Sequence, residues 1–175
     1  CSGKGFPCPA GVGPNGCGVR EIHIGADIVV TARRHWWQTR NLTWLREVGQ
    51  PIAAAVADYY CSRTTASAAL GATGGSRDRD RDRDSADQLS IAGVLGPDEH
   101  DDNVTDSTYT NAAAIAAIEF AVESSEALNL TVDPLWRNTA NRLHIPFDAT
   151  LNIHPEFVGM ATKGFQGKQA DTVML

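Results

Sequence analysis

The sequence predicts an all-α fold in which paired helices carry long, elaborate loops at one end, closer to a helical toroid than to a tight bundle. Three observations carry that prediction. Apolar residues recur at helical spacing in four segments. The segments between them are long and rich in Gly, Pro and charge. Strand-like alternation is confined to short stretches around Glu21–Ile24 and Ser90–Leu95.

Residues 1–20, "CSGKGFPCPAGVGPNGCGVR", are punctuated by Gly and Pro too often for a helix or strand and read as loop. They hold a literal G-x-G-x-x-G at Gly11, Gly13 and Gly16, but Pro7 and Pro9 stand where the nucleotide fingerprint needs a strand, so a nucleotide site is rejected. From Gly25 to Thr39, Ile28, Val29, Ala32, Trp36 and Trp37 fall near i, i+4 and i+8, predicting a first helix. In "NLTWLREVGQPIAAAVADYYCSR" a second is predicted, with Leu45, Val48, Ile52, Val56 and Tyr59/Tyr60 on one stripe. Pro51 inside it predicts a kink or a restart.

Residues 74–88 form a low-complexity Arg-Asp insertion with no apolar face, expected as a solvated excursion in a surface loop. A third helix is predicted from about Thr108 to Leu128, carrying Ile115, Ile118, Phe120 and Val122. Asp133-Pro134 is a start signal for a fourth, Asp as N-cap and Pro at the first helical position, running to about Leu143. "HIPFDATLNIHPEF", with two prolines, is extended or loop.

With 175 residues, 42% of them hydrophobic and 21% charged, the chain can bury the core of one globular domain. A net charge of −6 does not favour a nucleic acid or an anionic membrane as partner. No apolar run approaches a membrane span, and the sequence does not open with a charged stretch followed by an apolar run. Starting at Cys1 without Met and stopping at "KQADTVML", the chain is expected to be a piece of a larger protein. Cys1, Cys8, Cys17 and Cys61 lack metal-ligand spacing and suit either a disulfide or free thiols. Sequons at Asn41, Asn103 and Asn129 carry little weight and leave the compartment open between cytoplasm and secretory route.

Chemistry concentrates in "GVLGPDEHDDNVTDSTYTN", residues 93–111. Glu99 follows the Gly96-Pro97 turn and is flanked by Asp98, His100, Asp101 and Asp102. Crowded like charges raise a carboxyl pKa, which keeps a proton available for general-acid work. Composition alone would make the run a solvated acidic loop. A metal site is disfavoured because the calcium-loop spacing is missing, and no cofactor is expected. Lys168 and Gln169 pair a long cation with an amide, suited to hold sugar hydroxyls, although a surface pair is the commoner meaning of such neighbours. Trp36 and Trp37 could stack on a sugar, but their spacing with Val29 and Ala32 favours the core. His23 and His154 lack ligand spacing and read as loop or core hydrogen-bonders.

Four segments in this order, "REIHIGADIVV", "WLREVGQPIAAAVADYYCSR", "GVLGPDEHDDNVTDSTYTN" and "KQADTVML", resemble the central catalytic domain of glycoside hydrolase family 65. "IPFDATLNIHPEF" followed by "KQAD" is similar to its glucosidase and acid-trehalase-like branch. The resemblance implies part of an (α/α)6 toroid and inverting hydrolysis of an α-glucosidic bond, on a glucosyl-galactosyl-hydroxylysine- or trehalose-like substrate. It places Glu99 as the general acid and Lys168 and Gln169 as the pair holding the glucose. His100 follows Glu99 where the family commonly has an aromatic first. The general base and a sugar-binding Trp-Asp element are expected outside these residues, so the piece alone is expected to be inactive or nearly so. The alternatives are an inverting disaccharide phosphorylase of the same family, or a non-catalytic sugar-binding helical module.

Overall fold

In a computed structural model the chain is described over residues 17–67, 87–99, 101–160 and 170–174. The glycine-rich start, nearly all of the Arg-Asp insertion, His100, Lys168 and Gln169 lie outside the described residues.

A short 3-10 turn, Cys17–Val19, leads into α1, His23–Thr39. The expected strand at Glu21–Ile24 is instead the approach to this helix and its first residues, since a four-residue alternation also satisfies one helical turn. Val29 and Trp36 face the core as expected. Ile28 and Trp37 turn outward, being one step away on the 100° wheel. The Trp37 indole N–H donates to Glu123 Oε1 at 2.8 Å, and the Arg33 guanidinium lies 4.7 Å from its ring centre.

The second predicted helix is three consecutive pieces: α2, Leu42–Trp44; a π-helical turn, Leu45–Gly49; and α3, Gln50–Arg63. Asn41 caps the start, its side-chain oxygen accepting the Trp44 N–H at 3.1 Å. Pro51 is the physical reason for the wide turn. It has no N–H to give, and its ring crowds the carbonyl four residues back, so the chain takes one extra residue there and restarts with Pro in the first turn of α3. That extra residue rotates the helix and corrects the predicted stripe. Val48, Ile52 and Tyr59 are exposed, while Leu45, Gly49, Ala53, Ala57 and Tyr60 are buried. The Tyr60 hydroxyl donates to the Ile22 carbonyl at 2.6 Å, tying α3 to the start of α1.

Two small antiparallel pairs follow: β1, Thr65–Ala66, with β2, Leu89–Ser90, and β3, Ala92–Val94, with β4, Val104–Thr105. The expected strand at Ser90–Leu95 is therefore present, divided between β2 and β3. A bulge between Ala92 and Val94, with Gly93 at φ 72°, bends β3 toward the helices.

The third predicted helix is α4, Thr108–Ala127. Ser107 caps it, and Ala113, Ala114, Ala117, Ile118, Phe120 and Ala121 are all buried. A helix apolar around most of its girth is one enclosed by neighbours; here α1, α3 and α5, Pro134–Arg142, pack on it. The alanines let the backbones approach, and Phe120 and Ile118 fill the space between. Asp133 caps α5 as predicted, its carboxylate accepting the Leu135 N–H at 2.8 Å. Among the described residues after α5, isolated bridges pair Leu143 with Leu89 and Asp148 with Ile153, and a 3-10 turn spans Asp171–Met174. The fold is all-α with short strands.

Candidate active site

The acidic stretch is the tip of the β3–β4 hairpin, held at its base by a buried carboxylate. Ile91, Val94 and Leu95 have essentially no exposure, and the Leu95 N–H donates to the Arg20 carbonyl at 3.0 Å. Asp106, at φ 51°, turns its side chain back under the hairpin. Its Oδ1 accepts the Ile91 N–H at 3.0 Å and the Asn111 Nδ2–H at 2.9 Å, and its Oδ2 accepts the Ser90 hydroxyl at 2.8 Å. Asp tolerates the left-handed backbone better than most residues. The hairpin thus ends at the N-terminus of α4, where partial positive charge suits carboxylates.

At the tip the five-residue acidic run separates into different environments. Asp102 is exposed and paired with Arg20. Asp98 is only 4% exposed and Asp171 only 2%. Asp171 Oδ1 accepts the Asp98 backbone N–H at 2.8 Å. Its Oδ2 would stand 2.6 Å from a Cβ placed on Gly96, closer than side-chain atoms pack, so a side chain there would displace the Asp171 carboxylate. Glu156 completes the group. Its backbone carbonyl accepts the Thr108 N–H at 2.8 Å, and its carboxylate faces the Asp171 backbone N–H. Asp98, Asp101, Ser107, Glu156, Phe157 and Asp171 enclose a pocket of about 10 Å³, room for one water-sized group.

Burial raises both acids that hold the tip. Glu156 is pushed up to about 7 by desolvation and then by the charge of Asp171, with Asp98 and Asp101 adding to it. Asp171 is raised to about 6 by desolvation, opposed by the Asp98 N–H and reinforced by the Asp98 charge. Beside them the Tyr109 hydroxyl donates to Asp27 Oδ1 at 2.9 Å, its ring meeting His23 edge-on at 5.6 Å. Burial and then the Asp27 hydrogen bond and charge push Tyr109 up to about 12. Among the described residues, no group of three or more His, Cys, Asp or Glu is arranged to hold a metal ion. No described helix is long and apolar enough to cross a membrane.

Glu99 sits half-buried on the turn, one residue beyond the pinned Asp98. Trp36 is core, and exposed Trp37 is engaged by Arg33 and Glu123, so neither tryptophan belongs to this loop cluster. His154 is a loop residue whose Nδ1 lies 2.6 Å from the Pro146 carbonyl oxygen. His23 is buried at the start of α1. Sequence reasoning passed over Asp106, Glu156 and Asp171. The available signals were small: Asp171 ends "KQAD", and Glu156 is the only acid between Asp148 and Asp171.

The molecule is thus an all-α domain with a carboxylate-rich loop cluster at the N-terminus of α4. The chain belongs to glycosyl hydrolase family 65, whose central catalytic domain matches residues 13–174. It is 36% identical over 158 residues to the protein-glucosylgalactosylhydroxylysine glucosidase of Danio rerio, covering 89% of this chain and 21% of that protein. To the Mus musculus protein of the same name it is 31% identical over 159 residues, 90% of this chain and 21% of the relative. The kojibiose hydrolase of Mucilaginibacter mallensis is 30% identical over 155 residues, 89% of this chain and 20% of the relative. The chain thus spans about a fifth of the length of the curated relatives it matches. A solved structure described as a kojibiose phosphorylase from the human microbiome shares the fold, with TM-score 0.59 and 14% identity over 77% of this chain and 18% of that one. The helical arrangement agrees with part of an (α/α)6 toroid.

Proposed function

We propose that this domain serves inverting hydrolysis of an α-glucosidic bond in a glucosyl-galactosyl-hydroxylysine- or kojibiose-like substrate, with Glu99 as general acid and Lys168 and Gln169 holding the glucose. The observation that carries the reading is the bond between the Asp98 N–H and the Asp171 carboxylate. It joins the turn bearing Glu99 to the segment in which Lys168 and Gln169 stand only three and two residues before Asp171. That contact between Asp98 and Asp171 supports the reading, because acid and sugar clamp must meet if both act on one glucose.

In this reading the Glu99 carboxyl gives its proton to the glycosidic oxygen as the bond to the anomeric carbon breaks. A water attacks that carbon from the opposite face, and a second carboxylate takes its proton. In inverting enzymes the two carboxyls stand about 6.5–9.5 Å apart to admit that water. The second carboxylate is assigned outside these residues, so the 175-residue chain alone is proposed to be inactive. Residues 74–88 are proposed as an insertion within the same domain.

The test compares the full-length protein with its Glu99→Gln variant on glucosyl-α-1,2-galactose, kojibiose and trehalose, with and without phosphate. The reading predicts glucose release without phosphate and a loss of about 10²–10⁴-fold in the variant. Equal turnover in both proteins would move the acid elsewhere. Turnover that requires phosphate would make the protein a phosphorylase.

A further inference from the structure

The loop that carries Glu99 turns through Gly96 and Pro97, where Pro97 has a fixed φ but no N–H and Gly96 has no side chain to anchor. One of the groups that hold it comes from the last described turn. Asp171 takes the Asp98 N–H at 2.8 Å through Oδ1 and packs Oδ2 against Gly96, clasping the backbone on both sides of Pro97. The Asp171 backbone N–H in turn faces the carboxylate of Glu156, whose own backbone carbonyl is fixed by the first N–H of α4. The chain of contacts runs from a rigid helix end, through Glu156 and Asp171, to the peptide that immediately precedes Glu99.

From this geometry we infer that Asp171 is a positioning residue, which anchors the peptide from which Glu99 presents its proton. The inference rests on the hydrolase reading above and deepens it. Anchoring the peptide before Glu99 fixes its Cα–Cβ direction, and proton transfer demands heavy-atom approach of about 2.6–3.2 Å to the glycosidic oxygen. A displacement of about 1 Å in such a group can lower the rate about 10²-fold.

Two leaving groups separate this role from a merely structural one. Departure of a sugar alkoxide needs the acid's proton, whereas fluoride leaves with little protonation. In the full-length protein, Asp171→Ala should lower kcat on the disaccharide about 10²-fold while kcat on α-glucosyl fluoride falls less than about threefold. KM for the disaccharide should change little. Asp171→Asn keeps an acceptor oxygen for the Asp98 N–H and should restore disaccharide turnover to within about tenfold of wild type. Gly96→Ala leaves Asp171 in place but sets a methyl where its Oδ2 lies, and should reproduce the leaving-group-selective loss even if Asp171→Ala fails to fold. Circular dichroism confirms folding for each variant.

Equal losses on the two substrates in folded Gly96→Ala, or unchanged disaccharide turnover in Asp171→Ala, would overturn the inference. So would an Asp171→Asn variant as impaired as the alanine. Wild-type turnover that is abolished by Glu99→Gln and indifferent to Asp171 would sink this inference alone. No glucose from the wild type on any substrate would sink the hydrolase reading, and this inference with it.

Discussion

The helical layer and the loop cluster at the N-terminus of α4 are both well buried, yet they differ in what holds them. Along the middle of α4 the buried residues include Ala114, Ala117, Ile118, Phe120 and Ala121, whose packing is a matter of shape. In the loop cluster Asp98, Asp106, Ser107 and Asp171 are buried beside Ile91, Val94 and Leu95, and the polar groups are held by directional hydrogen bonds. A shape-packed core loses stability in proportion to the volume removed. A cluster of buried carboxylates instead depends on particular N–H groups, and it trades some stability for fixed geometry where the chemistry is placed.

The sharpest contrast should come from Phe120→Ala, which removes a fully buried ring from the helical layer and should lower unfolding free energy by about 3–5 kcal/mol in chemical denaturation. Asp106→Ala follows. It strips acceptors from the Ile91 N–H and the Asn111 amide and should cost about 3 kcal/mol, with a frayed β3–β4 hairpin seen by hydrogen exchange. Arg33→Ala is expected near the bottom of the series, because its pairs with Glu119 and Glu123 of α4, at 3.3 and 3.0 Å, are partly solvent-exposed and worth about 1 kcal/mol.

The smallest effect separates the two regions by pH. Glu156 and Asp171 have folded values raised to about 7 and about 6, above the ordinary carboxyl range of the unfolded chain. The folded state therefore binds more protons than the unfolded one between about pH 4 and 7. Stability from these groups is fully present below the unfolded values and is lost as pH rises through 6 and then 7. Thermal unfolding should show Tm falling over that window, and Glu156→Gln should flatten the fall. A Tm that rises through the same window in wild type, with no change on substitution, would contradict the burial of these carboxyls.

Most of the helical layer was legible in the sequence, since caps and periodicity are local. Asp133-Pro134 opened α5 where expected, and Pro51 marked the discontinuity in the second helix. The faces were harder to read. One extra residue in the π-helical turn moved Val48 and Ile52 outward, and periodicity cannot show an insertion in a hydrogen-bond ladder. The acidic run was recognisable as a turn after Gly96-Pro97, but charge alone could not tell buried Asp98 from exposed Asp102. That distinction is made by Asp171, 73 positions further along, which no local pattern reveals. Glu156 was hidden for the same reason, its partners lying on α4 and in the final turn.

The central claim is that the Glu99 turn and the "KQAD" segment form one working unit, and a double-mutant cycle on kcat tests it most directly. Glu99→Gln, Asp171→Ala and their combination would be compared with wild type in the full-length protein on one disaccharide. The account predicts strong non-additivity: with the acid gone there is nothing left to aim, so the double variant should be no slower than Glu99→Gln within about threefold. Losses that multiply, each substitution acting at full strength in the presence of the other, would show two independent sites and contradict the account.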